Sequence, residues 1–169
     1  MKKGILLIAL IFLLSPGTVL SADGTNSCGY EMVIIPAPAT IPTPNAAVDQ
    51  PAILDAWTTN NPFGNPSSEV YSFTGGQDTL AFVVKYHHIG GPIPEQWNRG
   101  WRCGNETQPV KTCNFKWTAV LPIGDYLLIN YFSPVDFRAG EYDWAAKVGN
   151  VVFGWPNIDA TRPWCFIVQ

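Results

Sequence analysis

From Gly140 to Val148 the chain alternates strictly. Tyr142, Trp144, Ala146 and Val148 share one phase of a two-residue repeat, and Glu141, Asp143 and Lys147 share the other. That period suits a strand with one buried face and is incompatible with a helix, whose like positions recur every three or four residues. The turn glycine, acid and tyrosine that open this stretch occur once more, sixteen positions earlier, as Gly124-Asp125-Tyr126 ahead of Leu127 to Phe132. From Thr79 to His87 a third alternation sets Leu80, Phe82, Val84 and Tyr86 against Thr79, Ala81, Val83 and Lys85. Its second phase is itself mostly small or apolar, which predicts a strand partly covered on both sides.

Shorter runs add strands at Met32 to Ile35, Val70 to Phe73, Phe115 to Leu121, Val151 to Phe153 and Trp164 to Val168. Ala52 to Trp57 is ambiguous between a short strand and a single helical turn. Residues 58–68 and 88–112 carry the Pro, Gly and Asn clusters of loops. No stretch has a helical period, so the expectation is an all-β chain, an antiparallel β-sandwich of seven to nine strands, each with an apolar face that a second sheet must bury.

The first residues have another purpose. Lys2 and Lys3 precede an apolar run from Gly4 to Leu14, a Ser15-Pro16-Gly17 break and small residues at Ser21 and Ala22. This is the pattern of an export signal cleaved after Ser21 or Ala22, and the run is too short to remain as a membrane span. The expected organisation is therefore a signal peptide at 1–22, a leader and proline-rich segment at 23–51, and the sandwich domain at 52–169. Pro36 to Pro51 contains too many missing amide donors for helix or central strand and reads as an extended path over the domain. A secreted, periplasmic or cell-surface location follows.

The chain carries a net charge of −3, and loss of the two signal lysines makes it more acidic. Phosphate backbones are bound through clustered cations, so nucleic acid is excluded as an expected partner. Four cysteines in an exported chain favour disulfides. Three pairings are possible. The expected one joins Cys103 to Cys113 across a short loop and Cys28 to Cys165 between the mature N-terminus and the last strand. A four-cysteine zinc site would need a C-x-x-C spacing, which the chain lacks.

Gly76-Gln77-Asp78-Thr79-Leu80, Leu121-Pro122-Ile123-Gly124 and Ala139-Gly140-Glu141-Tyr142-Asp143-Trp144-Ala145-Ala146 together resemble secreted bacterial immunoglobulin-like sandwich domains. In those domains a Gly-Asp-Thr-Leu strand start is followed by a Leu-Pro-x-Gly turn and a Gly-x-Tyr-x-Trp/Phe strand. The likeness covers residues 69–168. It implies an immunoglobulin-like fold and transfers no catalytic residue.

Chemistry-bearing residues are sparse. His87 and His88 are adjacent on a strand, so they point to opposite faces and cannot share a metal ion; solvation at a strand end is the expected role. Glu141 and Asp143 project together from an outer face, as solvated strand residues do. No Gly-x-Ser-x-Gly elbow occurs. Asp55, Asp78, Asp125 and Asp136 lie near loops but form no calcium-binding run, and turn aspartates mostly serve their own backbone. Asn105-Glu106-Thr107 is a glycosylation sequon only in a host that uses it.

Of seven tryptophans, Trp117 and Trp144 fall on buried phases. Trp97 and Trp101 fall in a polar stretch with Arg99 and Arg102. These four residues are the candidate ligand-binding set, as a lid or as an aromatic platform for a sugar ring or a partner's cation. The leading expectation is a secreted, non-enzymatic domain for extracellular adhesion or assembly, without cofactor, whose partner is an extracellular protein or glycan. The alternatives are a carbohydrate-binding module using the tryptophans and a small extracellular hydrolase.

Overall fold

Among the described residues alternating side chains close into eleven strands: β1 (Gly24–Asn26), β2 (Glu31–Pro36), β3 (Ala52–Thr59), β4 (Ser72–Phe73), β5 (Leu80–Pro92), β6 (Gln96–Arg102), β7 (Lys111–Trp117), β8 (Val120–Phe132), β9 (Gly140–Val148), β10 (Val151–Gly154) and β11 (Cys165–Val168). The computed structural model describes residues 24–26, 28, 31–38, 50–103, 111–132, 135, 137–154 and 165–169, and among these there is no helix. The export signal, residues 39–49 of the proline-rich segment, the sequon and Asp136 lie outside the described residues.

Two sheets form. One has the order β2-β8-β5-β3, all antiparallel; the other runs β1-β7-β6-β9-β11-β4, with β10 also on β9. The β11–β4 contact is parallel. The frame of the first sheet is the pair β5 and β8, 13 residues each, in one unbroken register from Leu80 opposite Phe132 to Pro92 opposite Val120. Within the segment assigned as leader, residues 24–26 supply β1 against β7, and the strand expected at Met32 to Ile35 forms as β2 against β8. Ala52 to Trp57 resolves as strand, antiparallel to β5.

The inward phases of both sheets meet in one core. Phe82 of β5 lies against Trp144 of β9 with ring centroids 4.8 Å apart and against Phe166 of β11 at 5.8 Å. Tyr142 stacks on Phe166 at 5.4 Å, and Phe73 meets the same ring edge-on at 6.0 Å. Trp117 and Trp144 are 7% and 3% exposed, so both are core residues, as their phase predicts. Each large apolar side chain so buried stabilises the fold by about 1.5–3 kcal/mol.

The other phase of β5 is covered too, as its composition predicts. Ala81 and Val83 are fully buried, and with Val33, Trp57, Leu127 and Ile129 they form a second apolar cluster on the far side of the first sheet. The segment between β3 and β4 folds across this face. Trp57 Nε1 donates to the Pro66 carbonyl at 2.6 Å, and Phe63 meets Tyr131 edge-on at 4.8 Å.

Residues 88–112, expected as loop, contain the end of β5, all of β6 and the start of β7. The central strand β6 was hidden because its polarity is inverted. Gln96 and Asn98 point into the core, 0% and 5% exposed, while Trp97 and Arg99 face outward. The inward amides are satisfied by one another across the two sheets. Gln96 Nε2 donates to Asn98 Oδ1 at 3.0 Å and to Asn130 Oδ1 at 3.1 Å, Asn98 Nδ2 donates to Asn130 Oδ1 at 3.2 Å, and Trp117 Nε1 donates to Gln96 Oε1 at 3.2 Å. Asn130 Nδ2 has no hydrogen-bond partner among the described residues.

The disulfide also differs from the expectation. Cys28 is bonded to Cys113, with Cα atoms 5.4 Å apart, and Cys103 and Cys165 are free. Neither Cys103–Cys113 nor Cys28–Cys165 forms. The reason is register: β1 runs antiparallel to β7 with Gly24 opposite Trp117 and Asn26 opposite Phe115, so two residues further on Cys28 arrives opposite Cys113.

Candidate functional site

The four residues singled out in the sequence are all on or at the end of β6. Trp97 is half-buried, and the Arg99 guanidinium sits over its ring, 4.5 Å from the centroid. That contact occupies a face of the ring that a ligand would use. Trp101 is in register with Asp143 of β9; its side chain lies outside the described residues. Arg102 is exposed but tethered, donating to the Ala139 carbonyl at 2.8 Å, with its charge 6.0 Å from the Tyr142 ring centroid. β6 thus brings Trp97 and Arg99 into direct contact and turns Arg102 toward the start of β9.

His87 and His88 point to opposite faces. Neither is simply solvated, contrary to the strand-end reading. His87 Nδ1 pairs with Asp125 Oδ1 at 2.6 Å, whereas His88 is 2% exposed. Its Nε2 reaches the Gly91 carbonyl at 2.9 Å, and its ring lies near those of Tyr86 and Tyr126. The adjacent strand residues diverge because successive side chains leave opposite sides of the pleat. Of the aspartates expected near loops, Asp78 serves its turn, its Oδ2 accepting from the Thr74 amide at 2.6 Å, whereas Asp55 lies within β3, its Oδ1 accepting from the Ala56 amide at 2.9 Å, and Asp125 lies on β8 beside His87. Among the described residues no group of three or more His, Cys, Asp or Glu side chains is placed to hold a metal ion.

A different surface has the shape of a binding site. On the outer side of the first sheet, the register sets Asp55 opposite Lys85, Lys85 opposite Leu127, and Leu127 opposite Ile35. The next row along the strands is Trp57, Val83, Ile129 and Val33. Pro38, just beyond β2, and Ser67 and Glu69 from the β3–β4 segment rise around these rows. Together they enclose a groove of about 220 Å³ lined by Pro38, Asp55, Trp57, Ser67, Glu69, Lys85 and Leu127. The floor is apolar, and the rim bears two carboxylates and an ammonium. Tyr71 donates its hydroxyl to Glu69 and so holds one rim carboxylate in place. Such an arrangement can seat an apolar side chain while pairing charges around it.

Sequence reasoning missed this groove, apart from naming Asp55 as a loop carboxylate. The available signal was the phase shared by Asp55 and Trp57, which becomes visible once Ala52 to Thr59 is accepted as strand. No family model matches the chain, and no curated protein is significantly similar to it.

Proposed function

We propose that this chain is an exported, non-enzymatic β-sandwich of immunoglobulin-like type that acts in extracellular adhesion or assembly and holds a partner protein in the groove between Asp55, Trp57, Glu69 and Lys85. The groove itself carries the reading: an apolar floor ringed by both signs of charge fits a polypeptide segment better than a reaction centre. Two further features support it. The Cys28–Cys113 bridge suits a chain that folds in an oxidising compartment. Tyr126 and Tyr142 each bond back to a carbonyl four residues upstream, the corner that recurs in immunoglobulin-like sandwiches. The carbohydrate alternative is less well supported at its original position, because a sugar stacking on Trp97 would compete with Arg99.

The test is site-specific photocrosslinking in the native host, with a photoreactive residue in place of Ser67 at the groove and, separately, in place of Lys116 on β7. A protein adduct formed from position 67, absent from position 116 and removed by Glu69→Lys is the expected result. Adducts equally abundant from both positions, or none from position 67, would retire the groove as the partner site. A glycan array on the purified chain reads out the carbohydrate alternative.

A further inference from the structure

Cys103 and Cys165 stand outside the disulfide, and the topology brings them to the two flanks of one acidic strand. β9 lies between β6 and β11. Cys165, the first residue of β11, is the register partner of Asp143. Cys103 follows the last residue of β6, and its backbone N–H donates to the Glu141 carbonyl at 3.1 Å. Cys165 thus adjoins Asp143 on one side of β9, and Cys103 follows the Arg102–Tyr142 pair on the other, so the two cysteines flank the same stretch of that strand. Cys103 is exposed and Cys165 partly so.

Backbones two strands apart are separated by about 10 Å, more than the span of a disulfide. Closure therefore requires the backbone at Cys103, just past the last β6–β9 pair, to swing over Asp143. We propose that Cys103 and Cys165 form an exchange-active thiol pair that closes into a second disulfide across β9 by reaction with an external disulfide of the glutathione or dithiol-oxidase class. Cys103, the more exposed, attacks one sulfur of the donor, giving a mixed disulfide and releasing the donor's first thiolate. The Cys165 sulfur then attacks Cys103, forming the protein disulfide and expelling the donor's second thiolate. The two cysteine protons end on the two donor thiols; the protein pair is oxidised and the donor disulfide reduced.

The local field holds this reaction back. Partial desolvation, the charge of Asp143 and its hydrogen bond, and weaker repulsion from Cys165 and Glu141 push the Cys103 thiol up to about 12. Desolvation and the same two carboxylates raise Cys165 as well. Arg102, a cation at this corner, donates to the Ala139 carbonyl. Because the thiolate is the attacking species, burial and Asp143 together slow the reaction, Asp143 without touching the donor.

The experiment uses the folded full chain with the Cys28–Cys113 bridge intact, verified by peptide mapping. Oxidised glutathione is added at pH 8, and samples are quenched with a maleimide and mapped under non-reducing conditions. A Cys103–Cys165 linked peptide should appear. Cys165→Ser should stop at a glutathione adduct on Cys103, and Asp143→Asn should accelerate closure at least about tenfold. Two independently alkylated cysteines with no linked peptide would overturn the pair. Equal rates for Asp143→Asn and the parent would overturn the role of Asp143. If Cys165→Ser carried no adduct on Cys103, the order of attack would be wrong.

Discussion

The hydroxyl of Tyr142 donates to the carbonyl of Arg138 at 2.7 Å, bonding the start of β9 to the chain four residues before it. Tyr126 does the same to Pro122 at 3.2 Å. The repeated glycine, acid and tyrosine thus mark two corners of one design, each with a buried ring and an anchored hydroxyl. Tyr142→Phe keeps the ring and removes the bond, so it should lower unfolding free energy in urea by about 1 kcal/mol. Tyr126→Phe, whose bond is longer, should cost less.

Gln96 is the hub of the buried amides. Gln96→Leu leaves Trp117 Nε1 without its acceptor and withdraws a donor from both Asn98 and Asn130. The expected loss is about 3 kcal/mol, since each buried group left unpaired carries its own desolvation penalty. Adding Trp117→Phe removes one of the orphans, so the double variant should be less destabilised than the two single losses summed. Strict additivity in denaturant melts would show that the Gln96–Trp117 bond contributes nothing.

Removing the disulfide should matter more than its edge position suggests. Cys28 and Cys113 are separated by 85 positions, and a closed loop of that size restricts the unfolded chain by about 4–5 kcal/mol in the loop-entropy description. Cys28→Ser with Cys113→Ser should show that loss in thermal melts, and reduction of the parent protein should reproduce it.

Alkaline pH should destabilise the fold. Burial raises the phenols of Tyr86 and Tyr126 above the ordinary 10.0, and Cys103 rises from 9.0 to about 12. Below the unfolded-state values the folded and unfolded chains hold these protons equally. Above them the unfolded chain ionises first, so stability falls as pH climbs through the folded values. Urea midpoints should be flat up to pH 8 and decline between pH 9 and 12, and Tyr86→Phe should flatten part of that decline. A midpoint that rose over this range would contradict the burial of the tyrosines.

Strands whose inner phase is apolar were legible directly: Tyr142 to Val148 and Leu80 to Tyr86 lie where their alternation puts them, and the double cover over Ala81 and Val83 followed from composition alone. β6 was illegible because Gln96 and Asn98 satisfy each other inside, while tryptophan and arginine face out. Alternation reports which phase is buried only if burial and apolarity coincide. The disulfide and the groove failed for a different reason. Cys28 meets Cys113, and Asp55, Lys85 and Leu127 line up, through sheet order and register. Contacts between distant segments leave no trace in local periodicity. Trp97 and Arg99 were named as a loop pair; the structure sets them on β6 in contact, a setting that depended on the neighbouring amides.

The amide cluster also has a kinetic meaning. Gln96 gains nothing by leaving water until Trp117 of β7 and Asn130 of β8 are already placed to receive it, because a half-assembled network is worse than a solvated one. Unlike its greasy neighbours, β6 has no incentive for early collapse, and its docking awaits the strands on either side of the core. During folding the chain should therefore pass through a state in which β5 and β8 are joined while the middle of the larger sheet stands open. The outward-facing Trp97 would be the natural fluorescent reporter of the moment at which that gap closes.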